Sequence, residues 1–317
     1  MVTATTDPAL GGRWTTLLTP PAALTPPAAA LAPPLPAPAP LPSTPVPTVP
    51  TGDVHTSSDP RPPLHNPAVH TPLLGRSTAV AGAPADVSTG RRDWLWHRAD
   101  PARASVLPGD PFVDAGGLEE CIPTIRGVPD HGDVWSRPWT SLSATAAFVE
   151  CPAFTLRRSF SQAGAALIVH YRLEAAPGYR FLWAAHALLD VSELAVLRAP
   201  AGTETRVDGG EIATWPTPLE RLGPDDGTAI GAILIDCPTT TVADGEQLTF
   251  TLEAPGQPMS TALWRNLRGW PADAPYRSIG VEPMLGRVFD LAEAGPGDAA
   301  VVPASGTCEW TLTVTSS

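Results

Sequence analysis

Through the second half of the chain, apolar residues recur at every second position and hardly ever at the helical spacing of three and four. Leu167, Val169, Tyr171 and Leu173 alternate with Ile168, His170, Arg172 and Glu174. Leu248, Phe250 and Leu252 alternate with threonines, and Trp310, Leu312 and Val314 alternate with Thr311, Thr313 and Thr315. A period of two lines one face of a strand, so each run predicts a half-buried strand. Clusters of Gly, Pro and Asp at residues 199–202, 223–227 and 254–258 punctuate the runs as turns. Many short strands with such punctuation predict an all-β, sandwich-like architecture. A further short strand at residues 92–97 (RDWLWH) would set Trp94 and Trp96 on one face.

The pattern fails between residues 19 and 90. About half of the 40 prolines fall there, among Ala, Thr and Ser, with no sustained apolar period. Such a segment buries too little apolar area to offset its ordering entropy and is expected to be disordered or polyproline-II-like. It reads either as a flexible insertion or as text translated in the wrong frame. His55, His65 and His70 inside it are expected to be solvated. The chain thus divides into a first strand within residues 1–18, the insertion at 19–90, and a β domain at 91–317.

Composition narrows the partners. The formal net charge is −12 over 317 residues, which argues against nucleic acid or an anionic membrane surface. All 20 strong cations are arginine, whose planar fork suits hydroxyl, carboxylate or phosphate groups. Cys121, Cys151, Cys237 and Cys308 lack metal-ligand spacing and read as small buried hydrophobes. No leader-like or membrane-spanning run is evident, so a cytoplasmic protein with reduced thiols is expected. A monomer is expected, although the sequence leaves the oligomeric state open.

The densest chemistry lies in residues 116–139, GGLEECIPTIRGVPDHGDVWSRPW. Glu119, Glu120, Arg126, Asp130, His131, Arg137, Trp135 and Trp139 crowd a stretch that Pro123, Pro129 and Pro138 break into loops. A loop of this composition suits the grip of a polar, ring-shaped ligand, or else it is a solvated connection with tryptophans packed for bulk.

Three blocks in order resemble the aldose 1-epimerase, or galactose mutarotase-like, superfamily. They are PDHGDVW at residues 129–135, RFLWAAHALL at 180–189, and the stretch at 263–287 that contains VEPMLGR. The likeness runs from about Asp93 to the C-terminus, and DPALGGRWTTLL at residues 7–18 is similar to the family's first strand. The resemblance implies a large two-sheet β-supersandwich with a sugar groove across one sheet, and no metal or organic cofactor. It implies Glu282 as general base and His186 as general acid for opening an aldose ring, with His131 as a further hydrogen-bonding partner. Arg126 and Arg137 would bind substrate, and Trp135 and Trp264 would stack on the sugar. The expected partner is a small-molecule sugar.

Other readings stay open on the residues themselves. His186 lies between apolar positions on both strand faces, where a histidine is commonly a satisfied core residue. Glu282 has a structural alternative in an ion pair with Arg277 or Arg287. His170 and His97 read as surface. The family's arginine motif is matched only in shortened form around Arg126, and its mid-chain aspartate falls on Asp190, Asp208 or Asp236 without a choice among them. A non-catalytic carbohydrate-binding protein and a hexose-6-phosphate mutarotase are the alternative functions.

Overall fold

The computed structural model describes residues 1–20 and 91–317. Two large antiparallel sheets carry the architecture. The first has ten strands, with Leu118–Cys121, Trp183–Leu189, Arg277–Leu285, Met259–Leu267 and Ala229–Leu234 adjacent at its centre. The second has eight strands, and the three runs that alternate in sequence are neighbours there, within Glu246–Glu253, Thr307–Ser316 and Ala166–Ala175. These strands turn one face to the core and one outward, which is why their pattern is clean. Among the described residues no helix is long and apolar enough to cross a membrane.

The first sheet is covered on both faces. All seven residues of Trp183–Leu189 are buried, and in Arg277–Leu285 every residue but the first. On the inner face Trp183, Ala185, Ala187 and Leu189 pack into the main core with Tyr171 and Leu312 of the second sheet. On the outer face Ala184, Met284, Ala262 and Ile233 form a smaller cluster with Cys121 and Ile125. A strand between two packed layers shows no alternation, because neither face meets water.

The inner layer also contains a buried ion pair. Glu120 is fully buried and accepts hydrogen bonds from Arg158 (2.8 Å), Tyr171 (2.9 Å) and Trp183 (2.8 Å). Arg158 donates in turn to the Gly12 carbonyl at 2.7 Å. Burying two charges is tolerated here because each is paired and further hydrogen-bonded.

At the N-terminus Thr3–Asp7 pairs with Arg13–Thr19, which pairs with Arg92–Asp93 through Leu18↔Asp93 and Thr19↔Arg92. The expected insertion lies outside the described residues apart from Thr19, in the strand, and Pro20. The two indoles of RDWLWH do not share surroundings as expected. The chain changes partner between them: Trp94 N donates to Leu17 and Trp96 N to Leu188. Trp94 enters the core, while Trp96 stacks on Tyr276 at 5.7 Å. The stretch expected to be loop-rich contains one short strand, Leu118–Cys121.

Candidate active site

Register brings the two central residues together. The strands Trp183–Leu189 and Arg277–Leu285 pair through Ala184↔Met284 and Leu188↔Gly280, which sets His186 opposite Glu282 on the outer face. The imidazole Nε2 lies 3.8 Å from the Glu282 Oε1, with His186 7 % and Glu282 3 % exposed. Gly280 makes room for this carboxylate. A Cβ there would overlap Glu282 Oε1 and press on the Trp264 Cβ at 3.1 Å. Trp264 itself is flanked across the sheet by Gly231 and Gly280, and its indole donates to the Ser278 hydroxyl at 3.1 Å. Arg277 engages Asp225 and the Leu222 and Gly223 carbonyls, and Arg287 engages Asp236. Neither neutralises Glu282.

His131 arrives from the loop. Its φ of 59° is left-handed, and its Nδ1 lies 2.9 Å from Asp130 Oδ1. Phe112 stacks on the imidazole at 3.6 Å and 10°, and His186 meets it edge-on at 4.9 Å. With Nδ1 engaged by the carboxylate, the other ring nitrogen is left to a ligand. Trp135 is 1 % exposed and does not line the cavity; it donates to the Asp130 carbonyl at 3.2 Å and meets Phe112 edge-on at 5.0 Å. It therefore supports the loop from beneath. Behind it, buried Arg103 pairs with Glu119 and donates to the Trp135 carbonyl at 3.0 Å. Arg137 lies off the cavity, 3.9 Å from Asp133.

Arg126 lines the cavity as a bidentate partner of Asp208, both contacts being 2.9 Å, with its guanidinium over the Phe289 ring at 4.1 Å. Asp208 Oδ2 also accepts from the Gly231 amide at 3.1 Å. Of the three aspartates left open by the sequence, Asp208 reaches the cavity, whereas Asp236 pairs with Arg287 elsewhere.

These side chains line one cavity of about 860 Å³. His131, His186, Glu282, Arg126 and Trp264 are together in it; Arg137 and Trp135 are not. Sequence reasoning passed over Phe112, Asp114 and Arg98, which line it from the connection after Asp93, and Trp270 and Tyr276 from the turn after Leu267. No periodic signal marked them, since all five lie on irregular backbone. The carboxylates of Asp100, Asp114, Asp130, Asp208 and Glu282 outnumber the cations Arg98 and Arg126.

Burial raises the Glu282 pKa above its ordinary value, an effect partly opposed by His186 and Arg126. Burial lowers that of His186, partly opposed by Glu282. Desolvation disfavours the charged form of each, so the two pKa values move toward each other, which eases proton exchange between them and a substrate. For Asp130 burial acts upward, but the hydrogen bond and charge of His131 outweigh it and hold the carboxyl below its usual range. The arrangement sets a group able to accept a proton and a group able to donate one 3.8 Å apart at the wall of the cavity.

No family model matches the sequence, and no curated protein matches it. Solved structures do. A Synechocystis sp. PCC 6803 protein superposes with a TM-score of 0.54 at 15 % identity, over 71 % of this chain and 85 % of its own. A candidate aldose 1-epimerase of Escherichia coli K12 gives 0.52 at 13 % identity, over 63 % and 83 %. The GalM/aldose epimerase homologue of C. elegans gives 0.50 at 12 % identity, over 74 % and 90 %. At such identities the likeness is one of fold: this chain has the galactose mutarotase-like fold, a two-sheet β-supersandwich.

Proposed function

We propose that the protein is an aldose 1-epimerase that interconverts the anomers of an aldohexose by acid–base ring opening. The observation that carries this reading is the facing pair His186 and Glu282, 3.8 Å apart and nearly buried. Among the described residues none donates a hydrogen bond to the Glu282 carboxylate, which leaves it to a substrate hydroxyl. Glu282 takes the proton of the anomeric hydroxyl, and the electron pair of that O–H bond becomes the carbonyl bond of the aldehyde. The bond between the anomeric carbon and the ring oxygen breaks, and the ring oxygen receives the proton of His186. Rotation of the aldehyde and the reverse transfers close the ring on the other face and restore both residues. His131 supplies a hydrogen bond to the ring or a hydroxyl, Asp208 with Arg126 holds hydroxyls, and Trp264 offers an apolar surface to the C–H face of the sugar.

The lining favours a neutral sugar over a phosphorylated one. Arg126 is already paired with Asp208, Arg98 covers the Tyr276 ring at 4.4 Å, and apart from the two histidines the other ionisable side chains able to carry charge near neutral pH are carboxylates. A phosphate site gathers uncommitted cations or a helix N-terminus. Polarimetry of freshly dissolved glucose or galactose tests the reading: the protein should accelerate the drift to equilibrium rotation. Binding of sugar without acceleration would leave a carbohydrate-binding protein in its place.

A further inference from the structure

The cavity is larger than one hexose needs. Its volume of about 860 Å³ lies in the upper part of the roughly 300–1,000 Å³ that encloses drug-sized ligands, and a hexose has fewer than half the non-hydrogen atoms of such a ligand. The lining runs along the strands from Glu282, past Trp264, to Trp270, Pro271 and Tyr276 in the turn that joins Met259–Leu267 to Arg277–Leu285. From Glu282 to Ser278 that distance is roughly 13 Å at the rise of an antiparallel strand.

At this end lies a half-exposed indole on a rigid mount. Trp270 is 50 % exposed and lines the cavity. Its backbone is held by Asn266, which is fully buried: Asn266 Nδ2 donates to the Trp270 carbonyl at 2.9 Å, and its Oδ1 accepts from Gly269 N at 3.0 Å and Trp270 N at 3.1 Å. A Cβ at Gly269 would overlap the backbone of Thr228 and Ala229, so the turn lies tightly against the next strand. Trp264 and Tyr276 brace the indole edge-on, each at 6.2 Å. The Tyr276 ring is itself engaged by Trp96 and by Arg98. Trp270 is thus the aromatic surface at this end that remains open, with Arg98 and Asp114 nearby as hydrogen-bonding groups.

We propose that Trp270 forms the floor of a second sugar subsite, which takes the non-reducing residue of a reducing disaccharide while its reducing hexose lies between Glu282 and His186. The inference rests on the mutarotase reading of that pair and names its preferred substrate class. A pyranose has an apolar C–H face and a polar rim, which match an open indole bordered by hydroxyl-binding side chains. Covering roughly 60 Å² of the exposed indole contributes about tenfold in affinity at the usual value of apolar burial.

Isothermal titration of the full chain with glucose, maltose and lactose tests the subsite, because the three share the same reducing-end ring. Maltose or lactose should bind about tenfold more tightly than glucose, and Trp270→Ala should abolish that ratio, with Trp270→Phe retaining part of it. Equal affinities in the parent protein, or a ratio that survives Trp270→Ala, would overturn the proposal. The parent ratio decides even if the alanine variant fails to fold. Polarimetry on the same samples separates the two readings. Anomer exchange without a disaccharide advantage removes the subsite and leaves the epimerase; a Trp270-dependent advantage without exchange keeps the subsite and removes the epimerase.

Discussion

Two buried glutamates in the same sheet have opposite surroundings. Glu120 projects inward, where Arg158, Tyr171 and Trp183 donate to it across the sandwich. Glu282 projects outward, into a cavity, with His186 at 3.8 Å and no donor among the described residues. A buried carboxylate whose lone pairs are taken up belongs to the framework, because a ligand has nothing left to offer it. One left short of donors at a cavity wall retains the capacity to accept a proton. Burial alone does not distinguish a structural carboxylate from a reactive one; hydrogen-bond saturation does.

Exchanging each carboxylate for its amide should separate the two cleanly. Glu282→Gln should reduce anomer exchange by at least about a hundredfold, with little change in melting temperature. His186→Asn should do the same. The double variant should be scarcely worse than the poorer single one, since residues acting as one unit are non-additive. Near-parental exchange in both single variants, followed by polarimetry, would break the assignment.

The converse is expected at Glu120. Glu120→Gln leaves Arg158 as a buried charge without a counterion, which should cost about 3–5 kcal/mol of stability. Denaturant titration reads that loss directly. A variant as stable as the parent would mean that Glu120 is not part of the framework after all.

The pH dependence sharpens the outward site. Exchange requires Glu282 ionised and His186 protonated. It should therefore appear as pH rises through the Glu282 pKa, which burial holds above 4.5, and disappear through that of His186, which burial holds below 6.5. The bell in kcat/KM should be narrower than free side chains would give, because the two limbs move toward each other. A plateau extending well above neutrality would exclude His186 as the acid.

The smallest effect is expected furthest from either glutamate. Thr19 and Arg92 are cross-strand partners, so the chain leaves and re-enters the sheet at adjacent points. We propose that the segment between them is an insertion that the β domain does not need. Replacing residues 21–90 with a short hairpin linker should leave exchange and the cooperative thermal transition intact, and closure entropy favours the shorter loop by roughly 2 kcal/mol. Loss of the transition would show that the segment contributes structure.

The second sheet was legible because water lies on one side of it. Its alternating runs near Tyr171, Phe250 and Trp310 are strands in which polar residues mark the outer face. The first sheet was not legible by periodicity, because its central strands are packed on both faces and read as continuous apolar text. There His186 looked like a core residue, and only family resemblance singled it out. Arg137 and Trp135 were grouped with His131 by proximity in sequence, yet a tight loop sends neighbouring side chains in different directions. Trp135 goes beneath the loop and Arg137 away from the cavity.

The sequence by itself determined the fold class, the turn positions and the residue types available for proton transfer, since all three follow from local periodicity and side-chain chemistry. It did not decide which of the adjacent Glu119 and Glu120 faces the core, that Arg126 meets Asp208, or that Phe112 covers His131. Those were decided by strand register and by the return of distant loops over the sheet. A shift of one residue in register would exchange every inward side chain for an outward one, and local sequence carries no record of which partner strand sets that register.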